Sequence, residues 1–418
     1  MSIFIKNIKQ LLTLRGPKKP RIGKELSELG MIENACLYIE NGKIKYIGKE
    51  KEVFEKVKGK KFFEIDANGV VLPGFIDCHT HMAFAKPRLF DFSMRIEGYD
   101  YKKIKEMGGG INRSARDIKE ISKEDLISNI IYFSKKFIEC GTTVCEVKSG
   151  YGLNFEGEIK ILESIKEAMK KVNLELIPTF LGAHSIPDNF KNSKEYLSYL
   201  KKELIPYISK NKLSVYADIF CENGYFSKKE AIDYLNFAKN YGLIPKIHAE
   251  QLSRSGGAYA ASVVGAKTAD HLDFANGLDI KYLKKSKTVS VFLPTSNYFL
   301  GIKKYPDVKE FIENGNIIAL ATDFNPGTSP CWNMQFVISV ALTQMKMKIE
   351  QAIVASTYNA AYSLDLHNKK GMIDLDMDAD ILVMDVKDYR EIGYYFGDNL
   401  NKMTIKNGEI VYEKTSSF

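Results

Sequence analysis

Between about residue 70 and residue 366, short apolar runs alternate with longer segments whose apolar residues recur every three or four positions. The short runs are LPGFIDCHTH, TTVCEVKSG, LELIPTFLGAH, SVYADIFCENG, LIPKIHAE, AKTADHL, TVSVFLPTS and NIIALATDFN. Most are apolar on both faces, the pattern of parallel strands covered by helices. The intervening segments carry helix signals. Ser122 to Asp125 resembles a capping box, followed by Leu126, Ile130, Phe133 and Phe137 at helical spacing and by Gly141 as a stop. Ser227 to Glu230 is a Ser-x-x-Glu box opening AIDYLNFAKNYG, and Ile159, Leu162, Ile165 and Met169 form another stripe.

The two ends of the chain read differently. Residues 35–49 and 403–414 each show strand, Asn-Gly turn, strand, the strongest short hairpin signal, and residues 378–386 add a further strand. The pattern predicts an α/β fold: a TIM (β/α)8 barrel over residues 69–368, with a small β-sandwich-like domain built from residues 1–68 and 369–418. A doubly wound open sheet is the alternative, but no G-x-G-x-x-G follows the first strand. Gly108 to Gly110 lack a following G-K-[ST], which excludes a P-loop. They read as a flexible segment of the first strand-to-helix connection.

Composition narrows the class. The 418 residues are 45% hydrophobic and 27% charged, as in ordinary globular chains. No stretch approaches the ~20 apolar residues of a membrane span, and residues 1–14 hold no signal-like run, so the expectation is a cytoplasmic protein without membrane contact. The six cysteines are scattered without a C-x-x-C, which argues for reduced thiols rather than disulfides or a thiolate zinc site. The net charge is +8, and the densest basic run is residues 15–24. That run has no interleaved aromatics, so it reads as a solvated loop rather than a nucleic-acid surface; the excess charge suits small anionic substrates.

Candidate chemistry sits where strands end, which in a TIM barrel is the active face. His79 and His81 close the first run, His184 the third, His248 the fifth, His271 the sixth, and Asp323 the eighth. Only His367 lies elsewhere. Residues i and i+2 of a strand share a face, so His79 and His81 can grip one cation through neutral imidazoles. His248 and Asp323 can add ligands from across the barrel and leave a position for water. Lys148, ending the second run, is a carbamate candidate for a two-metal site, but the fourth run offers no bridging lysine, so one metal is expected. Asp77 is open between a supporting and a structural role. Asp323 can take the proton of an activated water, and His271 or His184 can donate to an oxyanion.

The motifs PGFIDCHTH, HAEQ and TDFNPG resemble the metal-dependent amidohydrolase superfamily. EVKSGYGL, FLGAHSIP, ADIFCENGYFS, HAEQLSRSGGAYAA, ADHLD and ATDFNPGTSP narrow the resemblance to its branch acting in histidine degradation. The resemblance covers nearly the whole chain. It implies hydrolysis of 4-imidazolone-5-propanoate to N-formimidoyl-L-glutamate, one zinc or iron ion held by His79, His81, His248 and Asp323, and a homodimer. It also implies substrate contacts from Arg88, Tyr151, His184 and Gln251, with Asn325, Gly327 and Thr328 in the loop that holds the glutamate end. An arginine suits the planar propanoate carboxylate. Cytosine-deaminase-like relatives carry Glu at the position of Gln251. An amide cannot shuttle protons, which disfavours the alternative reading, an aminohydrolase of a purine, pyrimidine or related heterocycle.

Overall fold

The computed structural model describes residues 2–415. Two eight-stranded sheets dominate it. The first joins both ends of the chain. Its order runs 409–413, 401–406, 381–384, 70–73, 2–12, 31–40, 43–49, and strand 63–66 pairs with 2–12 off this path. Strand Ser2–Leu12 runs parallel to 63–66 and 70–73, and the other pairs are antiparallel.

Both Asn-Gly turns form as the sequence predicts. Asn41 and Gly42 have φ of 53° and 74°, Asn407 and Gly408 of 49° and 75°. Positive φ at both central residues is what a tight hairpin between right-twisted strands requires. The two turns also abut: a Cβ on Gly408 would lie 2.8 Å from the Gly42 Cα. Glycine is therefore required there by packing as well as by conformation.

The second sheet is the barrel. Its strands follow chain order: Phe75–Asp77, Thr142–Lys148, Glu175–Ala183, Tyr216–Cys221, Ile244–Ala249, Thr268–His271, Val289–Phe292 and Ile318–Leu320. All neighbours pair in parallel. Most of these strands are buried along their whole length, which explains their apolar runs. The eighth strand meets the first just beyond both strand ends. Thr80 bridges Phe324, the His81 amide donates to the Phe324 carbonyl (2.8 Å), and the Asp323 amide donates to the His79 carbonyl (3.1 Å). The seam that closes the barrel is thus built from the residues of the candidate site.

The helices start where predicted. Ser122 accepts from the Asp125 amide at the head of helix Lys123–Glu139, and Ser227 and Glu230 form a reciprocal box at the head of Lys228–Asn240. Leu126, Ile130 and Phe137 are buried as their spacing demands. Met169 departs from its stripe: it is the C-terminal cap of helix Phe155–Ala168, past the last packed turn, and is exposed. Gly108 to Gly110 form the tight connection between helices Tyr101–Glu106 and Ile111–Glu120. The Gly110 amide donates to the buried Asp91, and a Cβ on Gly109 would meet that carboxylate at 2.5 Å. All six cysteines are free. Among the described residues no helix is long and apolar enough to cross a membrane.

Candidate metal centre and substrate cavity

His79 and His81 lie past the end of the first strand ladder at Asp77, but the Thr80 bridge keeps the segment extended. The Lys148 amide also donates to the Thr80 carbonyl (2.9 Å), so the backbone between the two histidines is held from both sides. Nε2 of His79 and Nε2 of His81 each lie 3.5 Å from Oδ1 of Asp323. Nε2 of His248 lies 3.4 Å from Nε2 of His81. One potential ligand atom each from His79, His81 and His248 lie within 4.8 Å of one another, as do atoms of His79, His271 and Asp323.

The donor chemistry fits a cation. His79 Nδ1 lies 2.6 Å from the Asp270 carboxylate, so that nitrogen carries the proton and Nε2 presents a lone pair. That Nε2 is buried and has no hydrogen-bond partner among the described residues. Burial holds the imidazoles of His79, His81 and His271 well below the usual range, and neighbouring cationic groups add to it. His184 is pushed down to about 3 by burial and the nearby His248. Neutral imidazoles with converging lone pairs are what a metal ligand set requires. Burial raises the Asp323 carboxyl to about 7, with His248 and hydrogen bonds from Ser296 and Asn325 opposing it. A bound dication would reverse that preference.

Beneath the histidines lies a layer of charge of which the sequence singles out only Lys148. The Lys148 ammonium is fully buried, 2.7 Å from Asp218, 3.1 Å from Glu146 and 3.6 Å from Asp270. Lys246 pairs with Glu146 at 2.7 Å. Burial opposes the Lys148 charge, but the three carboxylates outweigh it and raise its pKa. An amine held as ammonium is not a nucleophile toward carbon dioxide, so the carbamate role weighed for Lys148 has no support here. Asp218 and Asp270 join the site from within strands, without a motif of their own. A charged residue inside an apolar strand, as in YADIF, is itself a signal, because such groups are rarely buried unless paired.

Above the histidines opens a cavity of about 500 Å³. His81, Arg88, Tyr151, His184, His248, Gln251, His271, Asp323, Asn325 and Thr328 all line it. His79 lies deeper and is fully buried. Gly327 is outside the lining and packs on Arg88: a Cβ there would lie 2.6 Å from the guanidinium. Arg88 donates through Nε to Ser114 (2.9 Å), and its guanidinium sits 5.5 Å from the Tyr151 ring centre. The Asn325 side chain accepts from the amides of Gly327 and Thr328 (2.8 and 2.6 Å), which folds the loop on itself. Arg95, Tyr99, Phe220 and Tyr225 also line the cavity, and no sequence signal singled them out.

Buried carboxylates shape the rim. Glu158 accepts from the amides of Gly150, Gly152 and Leu153 and so pins the loop bearing Tyr151. Glu222 accepts from the Leu252 and Ser253 amides beside Gln251. Glu250 accepts from the Ser255, Gly256 and Ala258 amides. It therefore points into its own loop, while Gln251 faces the cavity. His367 packs against Tyr358 and Tyr362, away from this site.

Known proteins agree with this architecture. A model of the amidohydrolase family matches residues 70–411. An imidazolonepropionase from Solibacter usitatus is 37% identical over 412 residues, covering 98% of both chains. One from Flavobacterium johnsoniae is 38% identical over 415 residues, covering 98% of this chain and all of the relative. Among solved structures, E. coli guanine deaminase superposes with a TM-score of 0.70 at 17% identity, covering 99% of this chain and all of that one. The guanine deaminase of Bradyrhizobium japonicum gives 0.74 at 14%, with the same coverage. At these identities the solved structures speak for the fold alone: a TIM barrel with an extra β domain from the termini. With the family model spanning the barrel and with relatives matching end to end, the chain belongs to the imidazolonepropionase family of metal-dependent amidohydrolases.

Proposed function

We propose that this chain hydrolyses 4-imidazolone-5-propanoate to N-formimidoyl-L-glutamate, with His79, His81, His248 and Asp323 holding one zinc or iron ion. The observation that carries the reading is the convergence of those four side chains at the floor of a cavity with Arg88 in its wall. When bound, the metal supplies Lewis-acid chemistry, making a water acidic enough to act as a nucleophile near neutral pH.

The chain's own residues do the rest. Arg88 pairs with the propanoate carboxylate, held in aim by Ser114 and the Tyr151 face. Tyr151 and Gln251 contact the ring, and the Asn325–Thr328 loop receives the glutamate end. Asp323 accepts the proton of the attacking water. His271 or His184, both neutral, donates to the oxyanion that forms at the ring carbonyl. The ring amide C–N bond then breaks, the carbonyl carbon becomes the product carboxylate, and the departing nitrogen takes a proton. Gln251 stands where a deaminase would place a carboxylate, and the adjacent Glu250 is committed to three backbone amides. This supports hydrolysis without release of ammonia over deamination.

The test is loss of imidazolonepropanoate absorbance by purified protein, with elemental analysis. His248→Ala and Asp323→Ala should abolish turnover and lower the bound metal. Wild-type turnover in either variant, or ammonia release from a purine or pyrimidine without imidazolone turnover, overturns the reading. The same reading carries a cytoplasmic homodimer, tested by light scattering and cell fractionation.

A further inference from the structure

We propose that Lys148 is an internal cation that holds Asp218 and Asp270 behind two metal-binding histidines and so sets their aim. The geometry is a three-point relay. Oδ2 of Asp270 lies 2.6 Å from His79 Nδ1 and 3.6 Å from the Lys148 ammonium. Oδ2 of Asp218 lies 3.1 Å from His248 Nδ1 and 2.7 Å from the same ammonium. In Asp270 one oxygen hydrogen-bonds His79 Nδ1 and faces the lysine; in Asp218 one oxygen accepts from the lysine and lies beside His248 Nδ1, which makes no hydrogen bond among the described residues. A carboxylate behind a ligating imidazole fixes its tautomer and ring orientation. Here one lysine ties two such carboxylates together, from the fourth and sixth strands, behind histidines at the ends of the first and fifth.

The relay also accounts for a single metal. Asp218, His248 and Asp270 bring potential ligand atoms within 4.8 Å of one another, close enough to hold a second cation. The Lys148 ammonium already lies against both of those carboxylates and against Glu146, all fully buried. A positive charge that cannot dissociate takes the place of an ion that would. Lys148 also fixes the first strand directly, because its amide holds the Thr80 carbonyl between His79 and His81.

This inference rests on the metal site proposed above, and the experiment separates the two. Metal affinity of the full-length protein is measured by chelator competition with Zn²⁺, and the visible spectrum is recorded with Co²⁺. Asp270→Asn and Asp218→Asn should each weaken metal binding by about 10–100-fold and shift the cobalt bands, the range seen when such supporting carboxylates are altered. Glu146→Gln is the control. It removes charge from the same buried layer and touches Lys148, Lys246 and Thr179, but neither histidine. It should lower the melting temperature and leave affinity and cobalt spectrum near wild type. Lys148→Met should match the aspartate variants, and if it does not fold the aspartate pair still decides. Unchanged affinity and spectrum in Asp270→Asn and Asp218→Asn, or an equal loss in Glu146→Gln, overturns the relay while leaving the metal site intact. A wild-type protein that binds no metal overturns both.

Discussion

Asp77 accepts the Thr322 hydroxyl at 2.5 Å, joining the first barrel strand to the residue before Asp323. The same carboxylate accepts from the Thr322 amide (3.2 Å) and the His79 amide (3.4 Å). Asp77 therefore supports the seam between the first and eighth strands, which settles a residue whose sequence allowed either role. Burial raises its pKa to about 7, with the Thr322 hydrogen bonds and the His79 amide opposing the shift. Asp77→Ala strands a buried hydroxyl and two amides, at about 1–3 kcal/mol for each unsatisfied group. Thermal denaturation should show that loss, and metal content should fall because His79 and Asp323 lose their common brace. A variant that melts and loads like wild type contradicts this assignment.

On the role proposed for Tyr151, Glu158 acts at one remove from substrate. Its three amide partners at 3.0, 2.7 and 3.0 Å bracket Tyr151. Glu158→Ala should release the loop while leaving the proposed metal ligands untouched. KM for imidazolonepropanoate should then rise by roughly tenfold, equivalent to ~1.4 kcal/mol of lost positioning, with a smaller change in kcat. A selective fall in kcat with KM unchanged would mean that Tyr151 does not depend on this anchor for binding.

Arg88 and Gly327 should behave as a coupled pair. If Arg88 binds the propanoate as proposed, losing that charge-assisted contact costs about 1.5–3 kcal/mol, so Arg88→Ala should raise KM by roughly 10- to 150-fold. Arg88→Lys should recover little of that, because an ammonium cannot make the paired contact. Gly327→Ala places a methyl 2.6 Å from the guanidinium and should displace it. In a double-mutant cycle on KM, Gly327→Ala should cost much less in the Arg88→Ala background than in wild type. Additive losses would show that Gly327 acts independently of the arginine.

The barrel was legible because fully covered parallel strands read as apolar runs, and its candidate site because five histidines end them. The hairpins were legible because Asn41-Gly42 and Asn407-Gly408 are conformational signals in themselves. Asp218, Asp270, Glu146 and Lys246 were not. Each is isolated within an apolar strand, and only barrel closure brings partners from distant segments within 4 Å. Equally hidden were the left-handed backbones of Glu250, His271 and Asp323, with φ of 53°, 76° and 54°. None is glycine, so composition does not announce them, and surrounding contacts must hold each one there. Regular strand alternation therefore ends where the chemistry begins.

Lys370 supports a prediction about stability. Its ammonium is 4% exposed and lies 2.9 Å from both Asp378 and Asp380, and 3.2 Å from Glu175 on the third barrel strand. Lys406 of the terminal sheet reaches Asp380 at 2.7 Å and Glu175 at 3.0 Å. Lys370 and Lys406 thus pair with the buried Asp380 inside the terminal domain and reach the barrel through the half-buried Glu175; removing the buried Lys370 charge costs up to about 3–5 kcal/mol, with the half-exposed link contributing less. Lys370→Met should show that loss in denaturant melts at neutral pH, with imidazolone turnover retained at temperatures where the variant is folded. The pH dependence follows from Asp378. Burial pushes its carboxyl up, but hydrogen bonds from Lys43 and Lys370 outweigh this and hold it below the usual range. A carboxyl with a depressed folded-state pKa contributes stability above its unfolded value of about 3.9, and that contribution disappears as pH falls through the folded value. Wild type should therefore lose stability as the pH drops below about 4, and Lys370→Met should lose less over the same interval. Parallel pH–stability curves for the two proteins would remove Lys370 from this linkage.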